Sequence, residues 1–379
     1  MKSINHVLYI SRWYPTEVDP MLGLFVRNHA LAAAKSGINV VVAYATAIND
    51  SKYINTGYSV HEQDGLKEII YYYRKSSFLA NLSLLIAWFK VLKYCIVSNG
   101  KPALIHAHIL TRSGLFAFFL SKIYRVPYIL TEHWSRYYSH NLSYKGFLRK
   151  HATQMVLNNA SKVTVVSESL TAAMKSRGLK FNYEILSNVV DTDKFNISLS
   201  KNVSFTFVSI TCFEEKSKNL RLLINAAEIL QKEGFVFELL MIGDGTDKQE
   251  IVQYSENTGI NVKFTGTLSY SQTAEVLKQS HCLVVSSNYE TFGIVAYEAL
   301  ACGIPVISTD VADLKRIIDQ NSGIIVPVKD VESMANAMKM ILLNYTMYNP
   351  EKIRSKVIDI CSVSSVSASL GRLYQQVME

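Results

Sequence analysis

Short, wholly apolar runs alternate along this chain with amphipathic stretches and with loops that carry glycine. Val7-Leu8-Tyr9-Ile10 is such a run, followed by a loop from Tyr14-Pro15 to Gly23. Phe25 to Lys35 then reads as a helix stopped at Gly37, and Asn39 to Ala45 as a second strand. Strand, loop, helix, strand is the opening of a parallel doubly wound sheet, whose strands are buried on both faces and so lack polar alternation. The rhythm continues with strands at Leu104–Ala107, Tyr128–Thr131 and Lys162–Ser167 and a helix at Gly114–Ile123. Tyr71-Tyr72-Tyr73 also reads as a strand. After Asp191–Phe195 the pattern restarts. Phe205–Ile210 is a strand, Leu220–Lys232 a helix, and Phe235–Ile242 a strand ending in Gly243-Asp244-Gly245. Val262–Phe264, Cys282–Val285 and Pro305–Ser308 are three more short strands. Two Rossmann-like halves are therefore expected, residues 1–195 and 196–379, with the loops after their strands facing a shared central cleft and the last helix packing back on the first domain.

A length of 379 residues suits two domains, and 49% hydrophobic with 18% charged residues excludes a disordered chain. The five cysteines form no CxxC pair, which argues against a zinc ribbon or a disulfide framework and fits a reducing compartment. Sequons such as Asn81-Leu82-Ser83 carry no weight without a secretory signal, and the apolar stretch before Ser11-Arg12 is too short to be one. Phe78 to Phe89 is too short to span a bilayer, and Ala103 to Leu120 is broken by His106, His108 and Arg112. The expectation is a soluble or peripheral protein.

Charge divides the chain unevenly. Residues 1–195 hold 23 Lys and Arg against 11 Asp and Glu, net +12, while the remainder is net −4. Eight of the nine histidines lie in the first half. A basic first domain faces something anionic. No dense basic run or zinc-finger pattern marks nucleic acid, whereas the stretch from Arg74 to Tyr94 joins cations to a long apolar side. That stretch fits a bilayer interface as well as an ordinary core helix. An anionic membrane or a lipid-pyrophosphate acceptor is the expected partner.

The most informative chemistry lies in SSNYETFGIVAYEALACGIPVI, residues 286–307. Glu290 falls in the loop after a buried strand, Gly293 opens the next helix, and Glu298 follows about two turns in, facing the same way. A helix start offers free N–H groups to a diphosphate, with Gly293 allowing close approach. Two carboxylates beside an anion site suit hydroxyl recognition rather than phosphate binding. Periodicity alone also permits a plain amphipathic helix with exposed glutamates.

This stretch resembles the E-x7-E motif of the retaining GT-B glycosyltransferases of family 4, and the likeness runs nearly the whole chain. Tyr14-Pro15, Gly23–Arg27 and Gly37–Val40 match the family's opening, and His106-Ala107-His108 and Thr131–Ser135 its strand-end histidine motifs. Ser187–Asp191, Gly243-Asp244-Gly245, Gly266 and Gly303–Ile307 continue the match in order and spacing. The resemblance implies a UDP- or GDP-linked nucleotide-sugar donor on the C-terminal domain. Glu298 would bind the ribose hydroxyls and Glu290 those of the transferred sugar. The Phe292, Gly293 and Ile294 backbone and Lys218 would bind the diphosphate. Gly23 would let the first domain approach that diphosphate, and His133 would lie near the donor sugar. It also implies retention of anomeric configuration, no metal, a saccharide or lipid-linked acceptor in surface polysaccharide or glycolipid synthesis, and a cytoplasmic location at the inner membrane face.

Two departures stand out. Cys212 occupies the place of an expected arginine, with Lys216 as an alternative to Lys218, and Val311-Ala312-Asp313-Leu314 replaces a usual glycine pair. The Cys212 change keeps open a non-catalytic partner subunit; a sugar-nucleotide epimerase or hydrolase is the other reading of the same fold. The other histidines give three further readings: His106 and His108 alternate along a strand, so at most one faces the cleft, His281 is inert, and His140 and His151 lie in the aromatic, basic segment Arg136 to Lys150, which reads either as a border of the acceptor site or membrane or as a solvated loop and helix face.

Overall fold

The computed structural model describes residues 6–48, 56–74, 80–110, 112–141 and 143–379. The chain forms two compact units, Met1–Val189 with Ser364–Glu379, and Val190–Val363. The division falls after Val189 rather than after Phe195. The cause is local: Arg354 of the second unit donates to the Phe195 carbonyl at 2.7 Å and the Thr192 carbonyl at 2.8 Å. The Phe195 ring also meets Tyr270 edge-on at 5.0 Å.

In the first unit the strands are β1 (Val7–Ser11), β2 (Val40–Ile48), β3 (Gly57–Gln63), β4 (Leu66–Arg74), β5 (Leu104–His108), β6 (Tyr128–Glu132), β7 (Lys162–Val165) and β8 (Glu184–Ile185). They form one sheet in the order β3-β4-β2-β1-β5-β6-β7-β8, parallel except where β3 pairs antiparallel with β4. The β3–β4 hairpin, which the apolar pattern does not reveal, turns on Asp64-Gly65, both at positive φ (51° and 80°). That is the conformation a two-residue Asp-Gly turn requires.

In the second unit β9 (Thr206–Ile210), β10 (Glu238–Ile242), β11 (Val262–Gly266), β12 (Cys282–Val285), β13 (Val306–Thr309) and β14 (Gly323–Val326) form an all-parallel sheet ordered β11-β10-β9-β12-β13-β14. Chain order reverses between β9 and β12, and in the first sheet between β1 and β5. Open α/β sheets bind ligands beyond the strand ends at such points.

The helix Ala80–Asn99 packs Ala87, Trp88, Val91, Leu92 and Cys95 inward, against β2 and β4. Its length and composition would suffice to cross a membrane, beyond the apolar run ending at Phe89, because the helix continues to Asn99. Its inward face is built into the unit, so it lies along the sheet. Its other face leaves Leu82, Leu85, Ile86 and Phe89 exposed, at the i, i+3, i+4, i+7 spacing of one stripe. Lys75 to Leu79, the start of the basic-apolar stretch, lie outside the described residues.

Candidate active site

In the second unit the loops after β9 and β12 are tied together by hydrogen bonds. Ser286 Oγ donates to the Lys218 carbonyl (2.8 Å), and the Asn288 N–H to the Ser217 carbonyl (2.7 Å). Asn288 Nδ2 reaches the Lys216 carbonyl at 3.0 Å. Thr309 Oγ1, from the end of β13, holds the Ser287 carbonyl at 2.6 Å. This frame fixes two opposite charges: Lys218 Nζ lies 2.5 Å from Glu290 Oε1, and Ser287 Oγ donates to the same oxygen at 2.8 Å. Burial alone would lower the pKa of the Lys218 ammonium, but the Glu290 carboxylate outweighs it and the net shift is upward. Lys216 is exposed. Cys212 is exposed too, close enough to Lys218 and Glu290 to feel both charges.

Beside this pair, Gly293 opens the helix Ile294–Ala301 in the left-handed region (φ 75°, ψ 47°), and no side chain caps the helix start. The first N–H groups of a helix have no partner within it, so they are available to an anion. The positive φ is what favours glycine here; a Cβ at Gly293 would lie 3.1 Å from the Leu314 side chain, a tight contact that leucine would have to yield to. The Phe292 ring stacks on Tyr297 at 4.2 Å, which fixes the approach to the turn. Ala312, in the departure from the usual glycine pair, also takes a positive φ of 49°. The backbone thus keeps a conformation that suits glycine while the sequence does not supply one.

Glu298 is the fifth residue of that helix, just over one turn in rather than two, and it is buried. It is more deeply buried than Glu290, whose side chain keeps 15% exposure. Burial pushes its carboxyl pKa up to about 8, with the neighbouring Tyr270 hydroxyl pulling the other way. The two carboxyls therefore differ: Glu290 is paired with Lys218, whereas Glu298 is buried and largely protonated at neutral pH. Sequence spacing identified both glutamates but gave no sign of this difference, which comes from tertiary burial beside Tyr270.

In the first unit, four imidazoles gather beyond the ends of β5 and β6. His106 and His108 are two residues apart on β5 and so point to the same face, with ring centroids 4.2 Å apart. The expectation that at most one faces the site misapplied the strand period. His106 binds Tyr374 Oη (2.7 Å) and Thr131 Oγ1 (2.6 Å), whereas His108 Nδ1 meets His133 Nε2 at 3.1 Å. His29, which the sequence did not single out, closes the group by binding the Ser187 carbonyl at 2.9 Å. Burial holds His29 down to about 4, and burial with like-charged neighbours holds His108 and His133 well below the ordinary range. These rings are neutral at pH 7.

His29, His108 and His133 place one nitrogen each within 4.8 Å of one another. Neutral imidazoles so placed are chemically able to take a divalent ion, although two of these nitrogens already bond each other. His133 is seated by Glu132, whose Oε1 accepts the His133 and Trp134 N–H groups at 2.8 and 2.9 Å. Gly23 starts the helix Leu24–Lys35 at φ 71°, again with no side-chain cap. Three other histidines are elsewhere: His281 Nδ1 accepts the Thr206 N–H at 3.1 Å, and His140 and His151 are exposed.

Residues 190–357 match the family model of glycosyl transferases group 1, and residues 22–194 that of glycosyltransferase family 4. The putative teichuronic acid biosynthesis glycosyltransferase TuaC of Bacillus subtilis is 24% identical, covering 92% of this chain and 90% of its own. An uncharacterized glycosyltransferase of Methanocaldococcus jannaschii is 28% identical, over 76% of this chain and 74% of its own. Among solved structures, sucrose-phosphate synthase from Thermosynechococcus elongatus superimposes with a TM-score of 0.78 at 19% identity, covering 98% of both chains. Anabaena HepE in complex with UDP and glucose gives 0.75 at 16% identity, covering 97% of this chain and 99% of its own. At these identities the structures establish the two-domain GT-B fold.

Proposed function

The chain belongs to the group 1, family 4 glycosyltransferases, and on that premise we propose that it moves a sugar, with retention, from a nucleoside-diphosphate sugar to a saccharide or lipid-linked acceptor. The observation that carries this reading is the Lys218–Glu290 pair beside the uncapped helix start at Gly293, with Glu298 one turn on. Lys218 and the Phe292, Gly293 and Ile294 backbone hold the diphosphate. Glu290 accepts from hydroxyls of the transferred sugar, Glu298 from those of the ribose. HepE, crystallised with UDP and glucose, supports a nucleotide-sugar donor. From the first unit, the family resemblance assigns the helix start at Gly23 to the diphosphate and neutral His133 to the transferred sugar.

In the transfer, the bond from the anomeric carbon to the diphosphate oxygen breaks and the acceptor oxygen bonds the same carbon on the same face. The acceptor proton passes to the departing diphosphate oxygen, so no side-chain base is required. The protein's contribution is positioning and stabilising charge on the leaving group, which Lys218 and the helix N–H groups supply. No step uses a metal; histidines 29, 108 and 133 act as a neutral hydrogen-bonding set. The test is acceptor-dependent release of nucleoside diphosphate, with the product anomer read by NMR. Retention, unchanged by EDTA, is the expected result; an inverted product, or release that needs no acceptor, refutes the reading.

A pH signature follows from Glu298. A carboxyl with pKa about 8 in the free protein must lose its proton for both of its oxygens to accept from the two ribose hydroxyls, so donor binding releases a proton. Nucleotide affinity should rise by up to about tenfold per pH unit below pH 8 and then level off. Calorimetry in buffers of different ionisation enthalpy reads the proton, and Glu298→Gln should abolish its release. The same shift makes the free fold less stable as pH rises from the ordinary carboxyl value of 4.5 towards 8.

The acceptor is proposed to lie at the inner face of the cell membrane, in polysaccharide or glycolipid synthesis. The support is the exposed stripe Leu82, Leu85, Ile86 and Phe89 on a unit with a basic sequence. Sedimentation with anionic vesicles, weaker with neutral ones, is expected. Leu85→Glu with Phe89→Glu should reduce it at least about tenfold, given roughly 1.5–3 kcal/mol per buried large apolar side chain. Equal sedimentation of the variant refutes membrane contact through this helix.

A further inference from the structure

The ends of β1, β5 and β6 carry arginines that donor binding leaves unused. Arg12 follows β1, Arg112 opens the helix Arg112–Tyr124 after β5, and Arg136 sits in the turn Ser135–Tyr137 after β6. These three strands are neighbours in the sheet, so their carboxyl ends lie side by side. The Arg12 and Arg136 guanidinium carbons each lie 4.6 Å from the centroid of the same indole, Trp134. Arg136 is 1% exposed, enclosed further by the rings of Tyr137 (4.9 Å) and Tyr144 (5.4 Å). Its Nη2 donates to Tyr137 Oη at 2.8 Å, but its Nε has no partner, and neither does the Nε of Arg12.

A buried cation with an unused N–H is costly unless something anionic completes it. The nearby Glu132 carboxylate does not. It is taken up by the N–H groups of Leu110, His133 and Trp134 and by the Tyr137 hydroxyl, and it reaches Arg136 only through that hydroxyl. After burial, the groups acting most strongly on Arg12 are Arg112 and Arg136, both of its own sign. Like charges are thus gathered at a ligand-binding edge, with the Nε of Arg12 and of Arg136 unfilled, while Arg112 donates to Asn81 Oδ1 at 3.4 Å. A guanidinium presents paired N–H groups that match phosphate oxygens, and two of them beside one indole suit a group carrying two negative charges.

We propose that Arg12 and Arg136, with Arg112 at the rim, form a phosphate-binding pocket in the first unit that takes the phosphate or diphosphate of the acceptor. This rests on the glycosyltransferase reading above and gives the acceptor a chemical class: a saccharide or lipid joined to phosphate, held by that phosphate.

The test is calorimetric titration of the full chain, saturated with UDP, with inorganic pyrophosphate, a short-chain prenyl diphosphate and the matching prenol. Saturable one-to-one binding of both diphosphates, and none of the prenol, is expected. Tighter binding of the prenyl diphosphate identifies a lipid-borne phosphate; equal binding identifies the phosphate group alone as the determinant. Arg12→Gln should weaken diphosphate binding at least tenfold while UDP affinity is unchanged. Arg136→Lys, checked by thermal melting, should do the same. Absence of saturable binding, or binding kept in Arg12→Gln, overturns the proposal. Repeating the titration without UDP on Lys218→Met separates the two readings: failure of UDP to bind the wild type would sink the donor site, while pyrophosphate binding to this variant would still report the arginine pocket.

Discussion

Lys218→Met is expected to lower kcat/KM by about 100- to 1000-fold, the typical loss when one preorganised group facing developing negative charge is removed. The side chain is largely shielded (18% exposed) and paired at 2.5 Å with Glu290, itself 15% exposed. The variant therefore also strands a carboxylate, and part of the damage will appear as lost stability rather than lost chemistry. A double-mutant cycle separates the two. Adding Glu290→Gln to Lys218→Met should recover most of the melting temperature and none of the rate. If Lys218→Met transfers sugar at near wild-type rate, the diphosphate is held by something other than this lysine, and Lys216 becomes the residue to change.

Gly23→Ala carries the second large effect, this time through the backbone. An added Cβ would lie 2.4 Å from the Trp13 carbonyl carbon and 2.5 Å from its oxygen. Those atoms belong to main chain and cannot move aside as a flexible side chain would. The left-handed conformation adds roughly 1–2 kcal/mol on its own. The total should reach about 4 kcal/mol or more, the range of severe single substitutions. Gly37→Ala is the control: its φ is also positive, 83°, but nothing lies within 4 Å of the added carbon. Only the conformational share should be lost there. Thermal melting of the two variants reads the difference, and equal losses would mean that close approach at Gly23 is not the cause.

Where the sequence was readable, the reason is physical. Buried parallel strands are apolar on both faces, so β1, β2 and β12 stand out as short runs of apolar residues. The β3–β4 hairpin is marked in the sequence only by its Asp64-Gly65 turn, because β3 is largely exposed and carries no apolar run. Glu290, Gly293 and Glu298 were legible because a strand, a glycine and a helix start fix their spacing. What spacing could not give was environment. Nothing local says that Glu298 is buried beside Tyr270, or that His29 from the first helix joins His108 and His133. The pairing of Arg12 with Arg136 was not legible, because the indole that brings them together lies after a different strand from Arg12.

The central claim is a nucleotide-sugar donor site in the second unit. Calorimetric titration of the purified chain with UDP, GDP, ADP and CMP, repeated on Glu298→Ala, tests it most directly. One-to-one binding of one nucleoside diphosphate, weakened in the variant by roughly 1.5–3 kcal/mol if the ribose bonds are charge-assisted, is the expected result. If none of the four binds to the folded protein, the donor site does not exist, and a non-catalytic partner of another glycosyltransferase becomes the reading to pursue.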